Sequence, residues 1–269
     1  MATKLVFESK PKALFWLSDS LLMIKRSSRH IIRNTDQLLG TFFQPIMFLV
    51  LFAAVFGGAI KLALPEGIGY LDFLMAGIIV QTIAFGSTTT AIAICNDLKR
   101  GIVDRFKSLP MSDIAVLNGH VISDLFRNGI SVLVMIIVGL FIGFRPTSDP
   151  LAWLAIVGLI ALFTLTFSWL AAIIGVVAKS IEAVQWLTFV IIFPLTFASS
   201  AFVPTDSMGK YLRIFAENQP ITHIIEAVRA LILDTPTGNH VWMSILWCIG
   251  LLAFAVPFAT WLFKRRSSN

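Results

Sequence analysis

Long apolar runs alternate with short polar segments along most of the chain. A helix needs about 20 apolar residues to cross a bilayer core of about 30 Å, and six runs reach or approach that length. They cover residues 38–60, 70–95, 119–144, 151–178, 185–203 and 241–263. The runs are continuous and lack the alternating pattern that membrane β-barrels require. The pattern predicts an all-α membrane protein with six transmembrane helices, in one domain over residues 38–263.

Composition agrees with lipid as the main solvent of this chain. Hydrophobic residues make up 57% of the 269 residues and charged residues only 13%, and the mean hydropathy is +0.85. These values lie outside the usual range of soluble globular proteins. The net charge of +6 is concentrated in the segments that flank the runs, so we expect contact with membrane lipids and no binding of nucleic acid.

The basic residues are distributed unequally between the two sides of the predicted membrane. Sixteen of the 21 lysine and arginine residues fall on the side of both termini, with Arg127 counted at the near end of the third run, and five fall on the other side. Cytoplasmic flanks carry the excess of lysine and arginine in membrane proteins. The chain is therefore predicted to be a multi-pass protein of the bacterial cytoplasmic (inner) membrane with both termini in the cytoplasm.

The cytoplasmic N-terminus, residues 1–37, contains a second kind of pattern. Between residues 12 and 33 apolar side chains recur at helical spacing, and basic residues occupy most of the other positions. The apolar positions are Leu14, Leu17, Leu21, Ile24 and Ile31. This pattern favours an amphipathic helix at the membrane surface; the alternative is a plain positively charged flank. Residues 264–269 form a short cytoplasmic tail.

The cytoplasmic segment at 96–113 is too charged to enter the bilayer. Ile102, Phe106 and Leu109 fall on one face at spacings of four and three, and Pro110 ends the pattern. The spacing predicts a surface helix that offers an apolar knob to a partner. A solvated loop with a charged face is the alternative reading.

The external loop at 204–240 contains two short helical patterns. Pro220 opens a segment with one continuous apolar face. We expect re-entrant half-helices over 204–233 that dip into the outer leaflet, with Glu226 and Arg229 paired as a structural element three residues apart.

Polar side chains within the spans are costly and are therefore candidates for a substrate path. The candidates are Gln44, Gln81, Thr88, Thr89 and Ser199, together with the aromatic side chains Phe85 and Phe197. For the serine and threonine residues, packing of helices through small hydroxylated side chains is the simpler explanation. Gln44 precedes Pro45 and also fits a kinked, hydrogen-bonded site between spans.

Features of an enzyme are missing from the sequence. The two cysteines cannot form a disulfide framework, and the four histidines are far apart in the chain and have no metal-ligand spacing. We therefore predict no catalytic residue, no metal site and no cofactor bound by this chain. An ion channel is disfavoured because no selectivity-filter segment is evident.

Four stretches in order carry a resemblance to a known family. They are FFQPIMFLVLFAAVFGGAI at 42–60, YLDFLMAGIIVQTIAFGS at 70–87, DLKRGIVDRFKSLPMS at 97–112 and FVPTDSMGKYLRIFAENQPITHIIEAVRAL at 202–231. With the six-span layout, the chain resembles the type 2 ABC transporter permeases, and among them the daunorubicin/doxorubicin-resistance permeases.

The resemblance implies that residues 97–112 form the coupling helix, seated in a cleft of an ATPase subunit. The coupling residues would be Arg100, Gly101, Ile102, Asp104, Arg105, Phe106, Leu109 and Pro110. It also implies two ABC ATPase subunits per complex, which bind ATP and Mg, and a second permease that is either an identical copy or a paralogue. The sequence contains no G-x-x-x-x-G-K-[ST] phosphate loop, so ATP hydrolysis is expected to take place on a separate chain.

The resulting expectation is a non-enzymatic membrane subunit of an ABC exporter. It would move a drug, an antibiotic or a similar amphiphilic small molecule out of the cell and so confer resistance, as a homodimer if the second permease is identical. The alternative within the same architecture is a permease for a lipid-linked polysaccharide or another lipid-like substrate.

Overall fold

The computed structural model describes residues 35–60, 64, 68–101 and 113–267. Within these residues the regular structure is helical throughout, which confirms the predicted all-α class. The predicted amphipathic helix at 12–33 lies outside the described residues, as does most of the predicted coupling helix, residues 102–112.

Nine α-helices occur among the described residues. They are α1 (Thr35–Ile60), α2 (Tyr70–Gly86), α3 (Thr88–Lys99), α4 (Asp113–Ile142), α5 (Pro150–Val177), α6 (Ile181–Phe197), α7 (Lys210–Asn218), α8 (Pro220–Ile232) and α9 (His240–Ser267). A single 3-10 turn, Thr205–Ser207, precedes α7.

Four helical stretches of the described residues are long and apolar enough to cross a membrane. They are Tyr70–Lys99, which joins α2 and α3, Ala115–Ile142, Pro150–Val177 and His240–Arg266. Two shorter apolar helices, Phe43–Gly58 and Ile181–Phe197, lie where the first and fifth spans were predicted. Four candidate spans are thus present among the described residues, and the full set of six stays a prediction.

The fifth predicted run is shorter as a helix than the sequence suggested. It was expected to extend to residue 203, but α6 ends at Phe197. The side-chain amide of Gln219 donates to the carbonyls of Leu195 and Ala198 at 2.8 and 2.9 Å. A side chain from the external loop thus satisfies carbonyls that a continuing helix would have bonded, and the chain turns over residues 198–203.

The interior of the molecule is built around α2 and α5. Fourteen of the seventeen α2 residues are buried, and α2 packs against α1, α4 and α8. Helix α5 packs against α9, α3, α4 and α8. Glycines allow two close approaches, because a Cβ atom would overlap the backbone of Ala201 at Gly77 and that of Ala91 at Gly175. Such small residues let helix backbones approach in lipid-embedded proteins.

The core accepts hydrogen bonds from a buried arginine side chain of α8. Arg229 is 5% exposed and donates to the carbonyls of Phe73 at 3.1 Å and Ser200 at 2.6 Å. Its Nη1 also lies 2.5 Å from Glu226 Oε1, so the two residues form an ion pair. Re-entry of α7 and α8 into the outer leaflet stays a prediction.

Side chains from distant elements hold the ends of several helices. Arg266 at the end of α9 donates to the carbonyl of Val176 and, at 2.8 Å, to that of Ala178. A cation at the C-terminus of α5 complements its free carbonyls and its dipole. His120 Nε2 lies 3.0 Å from Asp97 Oδ2. This contact joins α3, which precedes the segment 102–112, to α4, which follows it.

Candidate functional site

A cavity of about 330 Å³ lies between α1, α2, α3 and α6. Helix α1 contributes three of the lining residues, α2 and α3 contribute six, and α6 contributes one. The lining residues are Gln44, Pro45, Phe48, Gln81, Thr82, Phe85, Gly86, Thr89, Ile92 and Gln185.

One helical face of the second predicted span forms the longest wall of this cavity. Gln81, Phe85, Thr89 and Ile92 follow one another at spacings of four, four and three. Residues at these spacings share a face of an α-helix. The sequence therefore places two aromatic or aliphatic side chains and two polar ones along a single line.

Gln81 is the buried polar side chain of this wall. It is 5% exposed, and its Nε2 has no hydrogen-bond partner. The neighbouring hydroxyls are occupied, because Thr82 donates to the Ile78 carbonyl at 2.7 Å and Thr89 to the Gly86 carbonyl at 3.0 Å. A buried donor without a partner costs about 1–3 kcal/mol. Gln81 is therefore a cavity-lining residue whose buried amide nitrogen has no partner within the described protein.

The cavity has no formal charge among the described residues that line it. Its polar groups are the amides of Gln44, Gln81 and Gln185 and two threonine hydroxyls, and its rings are Phe48 and Phe85. Such a lining combines apolar contact with a few placed hydrogen-bonding groups, as small-molecule sites do. It suits an uncharged or weakly charged amphiphile.

The structure brings four of the seven predicted path residues to this cavity: Gln44, Gln81, Phe85 and Thr89. The other three lie elsewhere. Thr88 is half-buried and does not line the cavity. Phe197 stacks between Phe193 and Phe202, with ring centroids 4.2 and 4.8 Å away.

Ser199 has a local bonding role in the turn that follows α6. Its hydroxyl donates to the Thr196 carbonyl at 2.5 Å and accepts from the Ala201 amide at 3.2 Å. Both bonds stay within this turn.

Sequence reasoning missed several residues of the cavity. Gln185 was placed at the start of a span without a role, and Phe48 and Thr82 were not singled out. The spacing from Gln81 to Ile92 could have indicated one wall of the cavity, since it places polar and aromatic residues on one face of a helix. The contribution of α6 depends on tertiary packing and leaves no such trace.

Two of the predicted coupling residues belong to the described part of the chain. Arg100 follows the last turn of α3, and its amide donates to the Asn96 carbonyl at 3.0 Å. Gly101 has φ of +63°, a left-handed conformation that commonly ends helices and that glycine adopts without strain. The chain leaves the helix there. Ile102, Asp104, Arg105, Phe106, Leu109 and Pro110 lie outside the described residues.

A polar cluster lies behind the cavity and consists of Asp124, Arg127, Asn128, Ser168 and the Gly86 carbonyl. Arg127 was expected near the cytoplasmic surface, but it is only 7% exposed in the middle of α4. It is ion-paired with Asp124, and Ser168 of α5 donates to the other Asp124 oxygen.

The external side contains a histidine pair that the linear sequence did not predict. His223 Nδ1 and His240 Nδ1 lie 3.2 Å apart, although seventeen residues separate them. Among the described residues, no group of three or more histidine, cysteine, aspartate or glutamate side chains is arranged to hold a metal ion. The pair is a hydrogen-bonded contact between α8 and the start of α9.

Comparison with known proteins places the chain in a family. The model of the ABC-2 type transporter domain matches residues 20–233. The daunorubicin resistance ABC transporter permease protein DrrB1 of Streptomyces coeruleorubidus is 28% identical over 87% of this chain and 81% of its own length.

Other relatives cover similar shares. The probable doxorubicin resistance ABC transporter permease protein DrrC of Mycobacterium tuberculosis is 25% identical, over 97% of this chain and 93% of its own. Nodulation protein J of Bradyrhizobium diazoefficiens is 27% identical, over 85% of this chain and 86% of its own length. The resemblance to daunorubicin and doxorubicin resistance permeases, expected from four sequence stretches, is confirmed.

Proposed function

The chain belongs to the ABC-2 type transporter family, and from this membership we propose that it is the membrane permease subunit of an ATP-binding cassette exporter. Its substrate is a drug, an antibiotic or a similar amphiphile, and the ATP is hydrolysed by a separate subunit. The chain works in the bacterial cytoplasmic membrane, with both termini in the cytoplasm. Relatives named as daunorubicin and doxorubicin resistance permeases support the choice of substrate class.

The observation that carries this proposal is the uncharged cavity lined by Gln44, Gln81 and Gln185 with Phe48 and Phe85. An amphiphile with a ring system and a few polar groups can contact the rings and satisfy the free Gln81 amide. A lipid-linked polysaccharide is a weaker fit, because its phosphate groups are best bound by arginine or lysine. The described lining contains neither.

A second permease copy is the proposed cover for the open side of the cavity. Apolar side chains are exposed along the helices that flank it, including Val55 of α1 at 58% and Val190 of α6 at 61%. Lipid or another protein must cover such surfaces. Because α1 and α6 both line the cavity, a second copy or a paralogue placed against them would enclose a shared path.

The driving force is proposed to enter through residues 97–112. Two ATPase subunits, each binding ATP and Mg, would seat this segment and move it as they close. Arg100 and Gly101 start the turn away from α3, and α3 leads directly to the cavity residues Thr89 and Ile92. Helix α3 thus directly connects the proposed cytoplasmic segment to the cavity wall, so motion of that segment can reach the wall.

The test is isolation of the tagged chain from its native membrane in mild detergent, followed by mass spectrometry and an ATPase assay. The expected result is an ABC ATPase that co-purifies in equal number with the permease and hydrolyses ATP. The matched control is the same preparation from the chain with residues 102–112 replaced by a glycine–serine linker of equal length, which should lose the ATPase. Absence of any ATPase from the wild-type preparation would contradict the proposal.

A further inference from the structure

The candidate span Tyr70–Lys99 is interrupted at Ser87, between α2 and α3. The amide of Thr90 donates to the Ser87 carbonyl at 3.0 Å, three residues back instead of the usual four. The Gly86 carbonyl accepts from Arg127 Nη2 at 2.6 Å and from the Thr89 hydroxyl at 3.0 Å. An arginine from another helix thus bonds the backbone at the point where the helix changes its geometry.

The interruption lies inside the cavity wall. Gln81 and Phe85 precede it on α2, and Thr89 and Ile92 follow it on α3. A change in the angle between α2 and α3 would therefore change the shape of the cavity. Helix α3 also leads into the segment 102–112, which lies beyond Gly101.

Arg127 is held by a set of contacts that joins its own helix α4 to two further helices, α2 and α5. It is ion-paired with Asp124 on its own helix α4, and Asp124 accepts from Ser168 of α5. Asn128 lies against Gly86 so closely that a Cβ atom at Gly86 would overlap its Oδ1. The polar cluster therefore ties α4 and α5 to the α2–α3 interruption.

The stability of the fold alone does not explain the buried ion pair of Arg127 and Asp124. Removing two charges from water costs several kcal/mol per ion, and apolar replacements of buried ion pairs are often neutral or stabilising. Moreover, Arg127 Nε and both amide atoms of Asn128 are buried without hydrogen-bond partners.

We propose that Arg127 is a positioning residue for transport: its bond to the Gly86 carbonyl sets the angle between α2 and α3, through which motion of the segment 102–112 reaches the cavity. This inference rests on the proposed function, because it requires an ATPase that moves that segment.

The experiment uses the assembled permease–ATPase complex with a cysteine reporter in the cavity. Cys95 and Cys248 are replaced by alanine, and Ile92→Cys is labelled with N-ethylmaleimide in the nucleotide-free state and in the vanadate-trapped state. In the background with Arg127 intact, trapping should change the labelling rate about tenfold, as expected when a ligand biases a two-state element.

Two variants remove the proposed contact. Arg127→Gln leaves Asp124 buried without its partner and can fail to fold, so Asp124→Asn/Arg127→Gln is tested beside it, since it removes both charges. The control is Arg145→Gln, because Arg145 is an exposed arginine just beyond the same helix. In the double variant we expect ATP hydrolysis to persist while the nucleotide-dependent change in Ile92→Cys labelling is lost; in the control both should persist.

The outcomes separate the two proposals. A double variant with the full nucleotide-dependent change would overturn the role of Arg127 and leave the proposed function intact. A background complex that binds ATPase but shows no change at Ile92→Cys would also overturn the inference, since no motion would reach the cavity. If no ATPase binds the background chain, the proposed function fails first and the inference fails with it.

Discussion

Gln81 carries an amide nitrogen that is buried in α2 without a hydrogen-bond partner. The cost of such a group must be offset by packing elsewhere, so a leucine at this position would remove a penalty. A side chain that lowers the stability of the fold is expected to contribute to function. At the scale of single residues, Gln81 is therefore where the binding hypothesis can be separated from packing.

Replacing Gln81 with leucine should raise the free energy of unfolding by about 1 kcal/mol, because the unsatisfied donor disappears. The same change should alter which amphiphiles are exported. The measurements are thermal unfolding in detergent and a resistance spectrum across chemically varied drugs. The control is Thr164→Val, which removes a buried hydroxyl of α5 that bonds its own helix at 2.7 Å. Lower stability with an unchanged spectrum would assign Gln81 to packing.

The histidine pair predicts a dependence of stability on pH. Burial lowers the pKa of His223, the neighbouring His240 lowers it further, and Glu226 opposes both. The folded state thus binds fewer protons than the unfolded state, in which histidine has a pKa of about 6.5. The contribution of the pair is present above that value and is lost as the pH falls below it.

Replacing His223 with glutamine should therefore flatten the loss of thermal stability between neutral and mildly acidic pH. The quantity to measure is the unfolding midpoint across that range, for wild type and variant in the same detergent. His240→Gln should give a smaller flattening, because burial, the larger cause of the lowered His223 pKa, remains. An acid-dependent loss as steep in both variants as in wild type would show that other groups control it.

The sequence identified polar candidate residues, but it did not show which other residues they contact. Polarity within an apolar run identified Gln44, Gln81 and Thr89 as candidates, because a polar side chain in lipid is costly wherever it lies. Which candidates face one cavity depends on how helices rotate against each other. That is why Ser199 serves a turn and Arg127 is buried, although both look similar to surface residues in the linear sequence.

At the scale of helices, close packing depends on where glycines lie. Two glycines of α5 allow a direct comparison. A Cβ atom at Gly175 would overlap the backbone of Ala91 in α3, whereas one at Gly158 would meet nothing within 4 Å. Both glycines lie within the same helix. The first permits contact between α3 and α5, and the second faces open space.

The two glycines should respond oppositely to alanine. Gly175→Ala should destabilise the protein by about 1–3 kcal/mol, because backbone atoms must move apart. Gly158→Ala should be neutral or stabilising by up to about 1 kcal/mol, since alanine is the better helix former. The unfolding midpoints of both variants in detergent provide the comparison. Equal effects would mean that α3 and α5 do not approach as described.

The lengths of apolar runs predicted where helices occur better than where they end. Helix α4 begins at Asp113, six residues before the apolar run, because a helix continues into polar sequence beyond the membrane core. Helix α6 stops early because Gln219 caps it from a distant loop. Arg127 bonds the Gly86 carbonyl beside the interruption at Ser87, a contact that only tertiary structure could reveal.

At the scale of the whole molecule, the distribution of basic residues fixes the expected orientation. Without the two buried arginines, Arg127 and Arg229, fifteen of the 21 lysine and arginine residues remain on the proposed cytoplasmic side, against four on the other. The asymmetry therefore persists without these two residues. An even number of spans also requires both termini on one side, and the two constraints agree.

Cysteine labelling tests this orientation. In a background without Cys95 and Cys248, single cysteines at Ser108→Cys and Asp206→Cys should lie on opposite sides of the membrane. An impermeant maleimide added to intact cells should label only the Asp206→Cys protein, and permeabilised cells should allow both to react. Labelling of both proteins in intact cells would contradict the six-span arrangement.

The central claim is that an ATPase on another chain drives this permease through residues 97–112. Phe106→Ala should remove a buried aromatic anchor from that contact, which typically costs about 2 kcal/mol or more. Ser108→Ala in the same segment is the control. The decisive measurement is the affinity of the ATPase for the reconstituted permease, together with ATP-driven export. We predict that Phe106→Ala weakens binding about thirtyfold and abolishes export, while Ser108→Ala keeps both; wild-type binding and export in Phe106→Ala would contradict the account.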